Sequence, residues 1–127
     1  MSYLGLAVAG FPNLFIVQAP GSPAPATNFV AAMEQHVEWI SDCLCYLRAH
    51  DHRTIEALPE AQREWIEHTT ALVASTVLVQ PSCNSWYNGG NVPGKKRMYM
   101  GYTAGIPEYR NRCDAIADAG YTGFKLG

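Results

Sequence analysis

The chain has 127 residues, a net charge of −2, 48% hydrophobic residues and 16% charged residues, which is the length of one domain and the composition of a globular protein. Apart from the triplet Lys95, Lys96, Arg97 there is no block of like charge, which argues against nucleic acid as the main partner. No stretch reaches the ~18 apolar residues that a membrane span needs. The cysteines, Cys43, Cys45, Cys83 and Cys113, contain no C-x-x-C pair and are too sparse for a disulfide scaffold, so they read as reduced thiols of an intracellular, cytoplasmic protein.

At the N-terminus, residues 4–17 are apolar, but a secretory signal is not expected. The first basic residue is Arg48, and Gly10-Phe11-Pro12-Asn13 breaks the run with a turn. Residues 14–17, Leu-Phe-Ile-Val, have the continuous apolar character of a fully buried strand, ended by Pro20-Gly21-Ser22-Pro23. Such a strand needs neighbours on both edges, and the chain offers few. Residues 28–50 read as a helix capped by Thr27 or Asn28, with Val30, Met33, Val37, Ile40, Leu44 and Leu47 as its apolar stripe. His50-Asp51-His52 marks its exit. A second helix opens at Pro59 with Glu60 in its first turn. Its stripe is Trp65, Thr69, Leu72, Thr76 and Val79, and Pro81 ends it. A third runs over about 108–119, with Tyr109, Cys113, Ile116 and Ala117 on one side and Gly120 as its C-terminal cap. Residues 121–126 form a terminal strand. The fold class is therefore an α/β fragment, mostly helical, with three helices and short strands.

Two segments attract a functional reading. The first, residues 20–29 (PGSPAPATNF), joins the strand to a helix N-terminus, where free amides and the helix dipole favour a ligand. An ordinary proline-stiffened loop explains it equally well. The second, residues 85–97, sets Trp86 and Tyr87 beside Asn88-Gly89-Gly90-Asn91, Pro93-Gly94 and the basic triplet. Aromatics offer stacking area, glycines let backbone approach, and cations attract phosphate. On residues alone, a surface turn with a half-buried tryptophan explains it better. His50 and His52 lack a third ligand and read as a solvated loop, so no metal site is expected. Glu64 and His68 read as a surface pair one helical turn apart, and Trp39 and Trp65 as packing residues. No G-x-G-x-x-G, P-loop, H-E-x-x-H or G-x-S-x-G is present.

Four blocks in order resemble one family: residues 3–23 (YLGLAVAGFPNLFIVQAPGSP), 34–40 (EQHVEWI), 85–95 (SWYNGGNVPGK) and 109–124 (YRNRCDAIADAGYTGF). They resemble the C-terminal portion of class I Baeyer–Villiger flavin monooxygenases, the group of cyclohexanone, phenylacetone and steroid monooxygenases. The resemblance implies an enzyme that binds FAD and NADPH in two dinucleotide domains and inserts one oxygen of O2 beside a ketone carbonyl, giving an ester or lactone. It covers about the last quarter of such an enzyme. The dinucleotide fingerprints, the F-x-G-x-x-x-H signature and the catalytic arginine lie upstream, so the chain alone is expected to be inactive, to hold no cofactor and to need the missing N-terminal FAD and NADP domains.

The resemblance divides the chain into residues 1–52 (last strand and helix of the FAD domain), 53–81 (second helix), 82–104 (control loop over NADP) and 105–127 (terminal helix and strand). It assigns Pro20, Gly21, Asn28, Phe29, Trp86 and Lys95 to cofactor binding, with the helix at Asn28 aimed at the flavin pyrimidine. It assigns Ala24, Pro25, Ala26, Phe29, Trp86 and Tyr87 to the substrate pocket. Ala19, Pro25 and Gly90 depart from the residues usual in relatives, and Pro25 stiffens the pocket. Cut from its parent, such a segment exposes apolar faces, and a homo-oligomer is expected. The alternatives are a stand-alone helical binding or assembly module without catalysis, and a small NADP-binding protein that uses the Trp86 loop alone.

Overall fold

Helix α1, Phe29–Ala49, starts where Asn28 turns its side chain back to accept the N–H groups of Val30 and Ala31. This computed structural model describes residues 1–127 except 24–26, 75, 81 and 83. After α1 come strand β1 (Ile55–Ala57), helix α2 (Pro59–Val73), two single 3-10 turns (Val77–Val79 and Trp86–Asn88), helix α3 (Ile106–Asp118) and strand β2 (Phe124–Leu126). Among the described residues no helix is long and apolar enough to cross a membrane.

α1 buries only part of the expected stripe: Leu47 lies in the core and Ile40 packs against it. Its inner face is Ala32, Gln35, His36, Trp39, Cys43 and Leu47, while Val30, Val37 and Leu44 are about half exposed. At 100° per residue the buried face is turned by about a third of the circumference from the aliphatic one. The cause lies across the core. Trp39 donates its indole N–H to the Cys113 carbonyl of α3 at 2.9 Å, and its ring meets Tyr121 edge-on at 5.2 Å. Those contacts bury more area than a valine offers and fix the rotation of the helix.

Residues 14–17 do not form the expected strand. Leu14, Ile16 and Val17 are exposed, and only Phe15 makes a bridge, to Ala7. Asn13 and Gln18 have left-handed backbone (φ 60° each), so the run is kinked at both ends and cannot extend a ladder. Asn13 instead exchanges bonds with Ile55, donating its N–H to the Ile55 carbonyl and accepting the Ile55 N–H on its side chain. That fixes the edge of β1, a strand too short for sequence period to reveal. β1 pairs antiparallel with β2, Ile55 opposite Leu126 and Ala57 opposite Phe124.

α2 begins at Pro59 as expected but ends at Val73, well before the expected Val79. The Thr76 hydroxyl donates to the Val73 carbonyl and accepts the Leu78 N–H, opening a separate turn in place of further helix. Pro81, the expected terminator, lies outside the described residues. α3 starts two residues early, with Pro107 in its first turn. Gly120 (φ 74°) closes it as expected: its N–H bonds the Ala117 carbonyl and the Tyr121 N–H bonds that of Ile116. The core between the helices is largely aromatic: Tyr3, Trp39, Trp65, Tyr102, Tyr109, Tyr121 and Phe124.

Candidate functional site

The Pro20-Gly21-Ser22 rim is bonded from every side. Ser2 donates both its N–H and its hydroxyl to the Pro20 carbonyl (3.1 and 2.7 Å), and Ala19 donates to the Gly5 carbonyl at 3.1 Å. The Trp65 indole N–H donates to the Gly21 carbonyl at 3.1 Å. Gly21 has φ 107°, and a Cβ there would come within 3.1 Å of the same indole nitrogen, so the position demands glycine. Pro20 is exposed, while Gly21 and Ser22 are buried.

The Trp86 turn is built separately. The Ser85 hydroxyl accepts the Tyr87 N–H, and Trp86 stacks on Tyr87 with ring centroids 3.9 Å apart. Asn88 is buried beneath: its amide donates to the Leu78 carbonyl and its side-chain oxygen accepts the Gly90 N–H. Trp86 itself is 59% exposed, and Lys95 is exposed with its alkyl chain close over Gly89.

A strap that the sequence reading passed over, residues 98–102, joins the two patches. Met100 donates its N–H to the Tyr87 carbonyl (3.1 Å) and accepts the Gly21 N–H (2.8 Å). On either side of it, Met98 donates to the Asn88 carbonyl and Tyr102 to the Ser22 carbonyl. One peptide segment thus couples the aromatic turn to the glycine rim. Alternating Met98, Met100 and Tyr102 in MYMGYT is a faint strand-like signal that could have found it.

Other expected site residues fall differently. The amides of Val30 and Ala31 at the start of α1 are already taken by Asn28, so the helix offers its dipole more than free donors. Phe29 exposes its ring, and no ring contact joins it to Trp86 among the described residues. Ala24, Pro25 and Ala26 lie outside the described residues. His50 stacks on Tyr46, and no group of three metal-ligating side chains occurs among the described residues. Among the described residues Glu64 and His68 make no ion pair. His68 faces the rings of Trp65 and Tyr102, and burial lowers its pKa.

Sequence reasoning also missed His36, a wholly buried histidine on α1 whose Nδ1 accepts the Gln18 N–H at 3.1 Å. Burial pushes its pKa from 6.5 down to about 4. Because the unfolded chain binds this proton more readily, stability is full above the unfolded pKa and falls as pH drops through the folded one. Acid titration followed by urea unfolding is expected to show a loss of roughly 3 kcal/mol between about pH 6.5 and 4. An unchanged urea midpoint over that window would remove His36 as the cause.

No protein-family model matches the chain. A Baeyer–Villiger monooxygenase of Pseudooceanicola batsensis is 36% identical over 96% of the chain, which spans 22% of that protein. Cyclohexanone 1,2-monooxygenase of Acinetobacter sp. is 38% identical over 98% of the chain, again 22% of the relative. The solved cyclohexanone monooxygenase from Rhodococcus sp. Phi1 bound to NADP+ superposes with a TM-score of 0.88 at 40% identity, covering 98% of this chain and 23% of that one. Over nearly its whole length the chain matches one segment of Baeyer–Villiger monooxygenases. It spans less than a quarter of the length of these family members. Within the family fold the likeness runs through the glycine rim, the strap and the aromatic turn alike, since it covers nearly the whole chain.

Proposed function

We propose that the chain serves as the cofactor-facing C-terminal segment of an FAD- and NADPH-dependent Baeyer–Villiger monooxygenase, inserting oxygen beside a ketone carbonyl to give an ester or lactone. It does so in the cytoplasm, together with FAD and NADP domains it does not carry, and by itself it is inactive. The observation that carries this reading is the coupling of the Gly21 rim to the Trp86 turn through Met100. What supports such cofactors is the exposed Pro20 at the rim, the exposed Trp86 and Lys95, and the partial positive charge at the N-terminus of α1. Bound FAD would supply oxygen activation and NADPH the reducing hydride.

The chain's own residues then have simple tasks. Pro20 and Gly21 form a rigid rim, and Asn28 fixes where α1 begins. Trp86 and Tyr87 form an apolar cover that excludes water, and Lys95 attracts phosphate. Ala24, Pro25, Ala26, Phe29, Trp86 and Tyr87 border the ketone. Because Trp86 is exposed and packs on little besides Tyr87, Trp86→Ala in the complete enzyme is expected to lower kcat by roughly 10–100-fold with an unchanged melting temperature. Steady-state kinetics beside a thermal melt would check this, and full activity in the variant would overturn the role of the turn.

A second reading, a stand-alone assembly module, has support in the exposed Val30, Val37 and Leu44 of α1 and in the exposed Phe11, Leu14 and Ile16. Either way the free chain is expected to form a homodimer or larger assembly. Light scattering should give a mass above one chain, falling to one chain in the double variant Val37→Ser, Leu44→Ser. To separate the two readings, the chain is expressed with flavin-binding domains of the family. Retained FAD supports the enzyme reading, and a stable free dimer that ignores those domains supports the module.

A further inference from the structure

Leu4 and Gln18 flank the Gly21 rim in space, and both hold left-handed backbone (φ 55° and 60°) without being glycine. Such residues keep that conformation only where their surroundings hold it. Both are held by one buried pair of side chains, His36 of α1 and Tyr109 of α3, each wholly buried. Gln18 donates its N–H to His36 Nδ1 at 3.1 Å. Tyr109 donates its hydroxyl to the Leu4 carbonyl, and the same oxygen lies 2.8 Å from His36 Nε2.

These bonds determine one another. A backbone N–H only donates, so Nδ1 accepts and the imidazole proton sits on Nε2. Nε2–H then donates to the Tyr109 oxygen, which leaves the hydroxyl hydrogen for the Leu4 carbonyl. The result is a continuous chain of three hydrogen bonds from one strained turn to the other. The rim is attached to both turns. Ser22 donates its hydroxyl to the Gln18 side-chain oxygen at 3.0 Å, and Ala19 donates its N–H to the carbonyl of Gly5, the residue after Leu4. A core that needed only volume here would be filled at less desolvation cost by leucine and phenylalanine. A polar pair with directed bonds sets position instead.

We infer that His36 and Tyr109 are positioning residues for the Pro20-Gly21-Ser22 rim, fixing from beneath the backbone that meets the flavin, an inference that rests on the cofactor reading above. Neither side chain touches the cofactor. Both act through the two left-handed turns.

The test uses the 15N-labelled chain and its Tyr109→Phe and His36→Leu variants. In the wild type, imidazole nitrogen shifts are expected to report the Nε2–H tautomer, and the opposite tautomer would overturn the bond chain. Tyr109→Phe keeps the ring and removes only the hydroxyl. Amide exchange at Gln18, Ala19 and Gly21 is expected to quicken at least tenfold in both variants, while Leu58 and Gly127, bonded at the β1–β2 clasp, keep their wild-type rates. Equal loss of protection everywhere, or none at the rim, would reduce the pair to ordinary core packing. In the complete enzyme, Tyr109→Phe is expected to raise the FAD dissociation constant about tenfold with KM for NADPH unchanged. A loosened rim with unaltered FAD binding would overturn the cofactor reading while leaving the tether in place, so the two failures are distinguishable.

Discussion

Trp39→Ala is expected to destabilise the fold by about 3–5 kcal/mol, among the largest effects of any single truncation here. The indole is 4% exposed and lies where three elements meet. It donates to the Cys113 carbonyl of α3, meets Tyr121 edge-on, and packs on Phe124 of β2 at 5.9 Å. Alanine leaves a cavity beside the Tyr121 and Phe124 rings and removes a buried hydrogen bond to the Cys113 carbonyl. Urea unfolding measures the loss as a fall in midpoint at constant slope. Ser41→Ala, two positions away on the same helix, is the control. Ser41 is exposed, so its replacement is expected to move stability by no more than about 0.5 kcal/mol. Equal effects at the two sites would mean that α1 is rotated from the orientation described.

Gly5→Ala is the second large effect, and it is selective. Gly5 has φ 69°, and a Cβ there would lie 2.5 Å from the backbone nitrogen and Cα of Ser22. Ser22 cannot retreat freely, because its carbonyl accepts the Tyr102 N–H and its own N–H is bonded to Ala19. Overpacking and left-handed strain together are expected to cost roughly 2–4 kcal/mol. The displaced segment is the glycine rim itself, so FAD retention by the complete enzyme should fall further than the melting temperature suggests. Gly10→Ala makes the comparison, since Gly10 has φ 87° but nothing within 4 Å of a Cβ. It should show the backbone penalty alone, about 1 kcal/mol, and leave the rim intact. If both variants retained FAD equally, close packing against Ser22 would not matter to the site.

These contrasts also show what sequence reading can reach. The three helices were legible because caps and breakers are local: Asn28, Pro59 and Gly120 act within a turn of where they stand. The buried face of α1 was not. Aliphatic periodicity pointed to Val30, Val37 and Leu44, whereas the inner face uses Gln35, His36, Trp39 and Cys43. Histidine and tryptophan become interior residues only when a distant partner accepts or donates their hydrogen bonds, and Gln18, Tyr109 and Cys113 are not neighbours in sequence. The apolar run 14–17 misled for the converse reason, since a strand is made by its neighbours and these residues are kinked at both ends. At the site, Gly21, Asn28 and Trp86 stood out by residue type. Their connection through residues 98–102 is made by peptide groups, which every residue carries and no side-chain pattern reports.

The β1–β2 clasp bears on the order in which the protein can be assembled. Tyr121 and Phe124 complete the aromatic core, and the Gly127 carbonyl accepts N–H groups from Arg53 and Thr54. A chain emerging residue by residue therefore exposes Trp39 and Ile55 until residues 121–127 are free. Helix α1 can coil early, but it has nothing to close against. A pause in translation before Tyr121 would prolong that exposure of apolar surface.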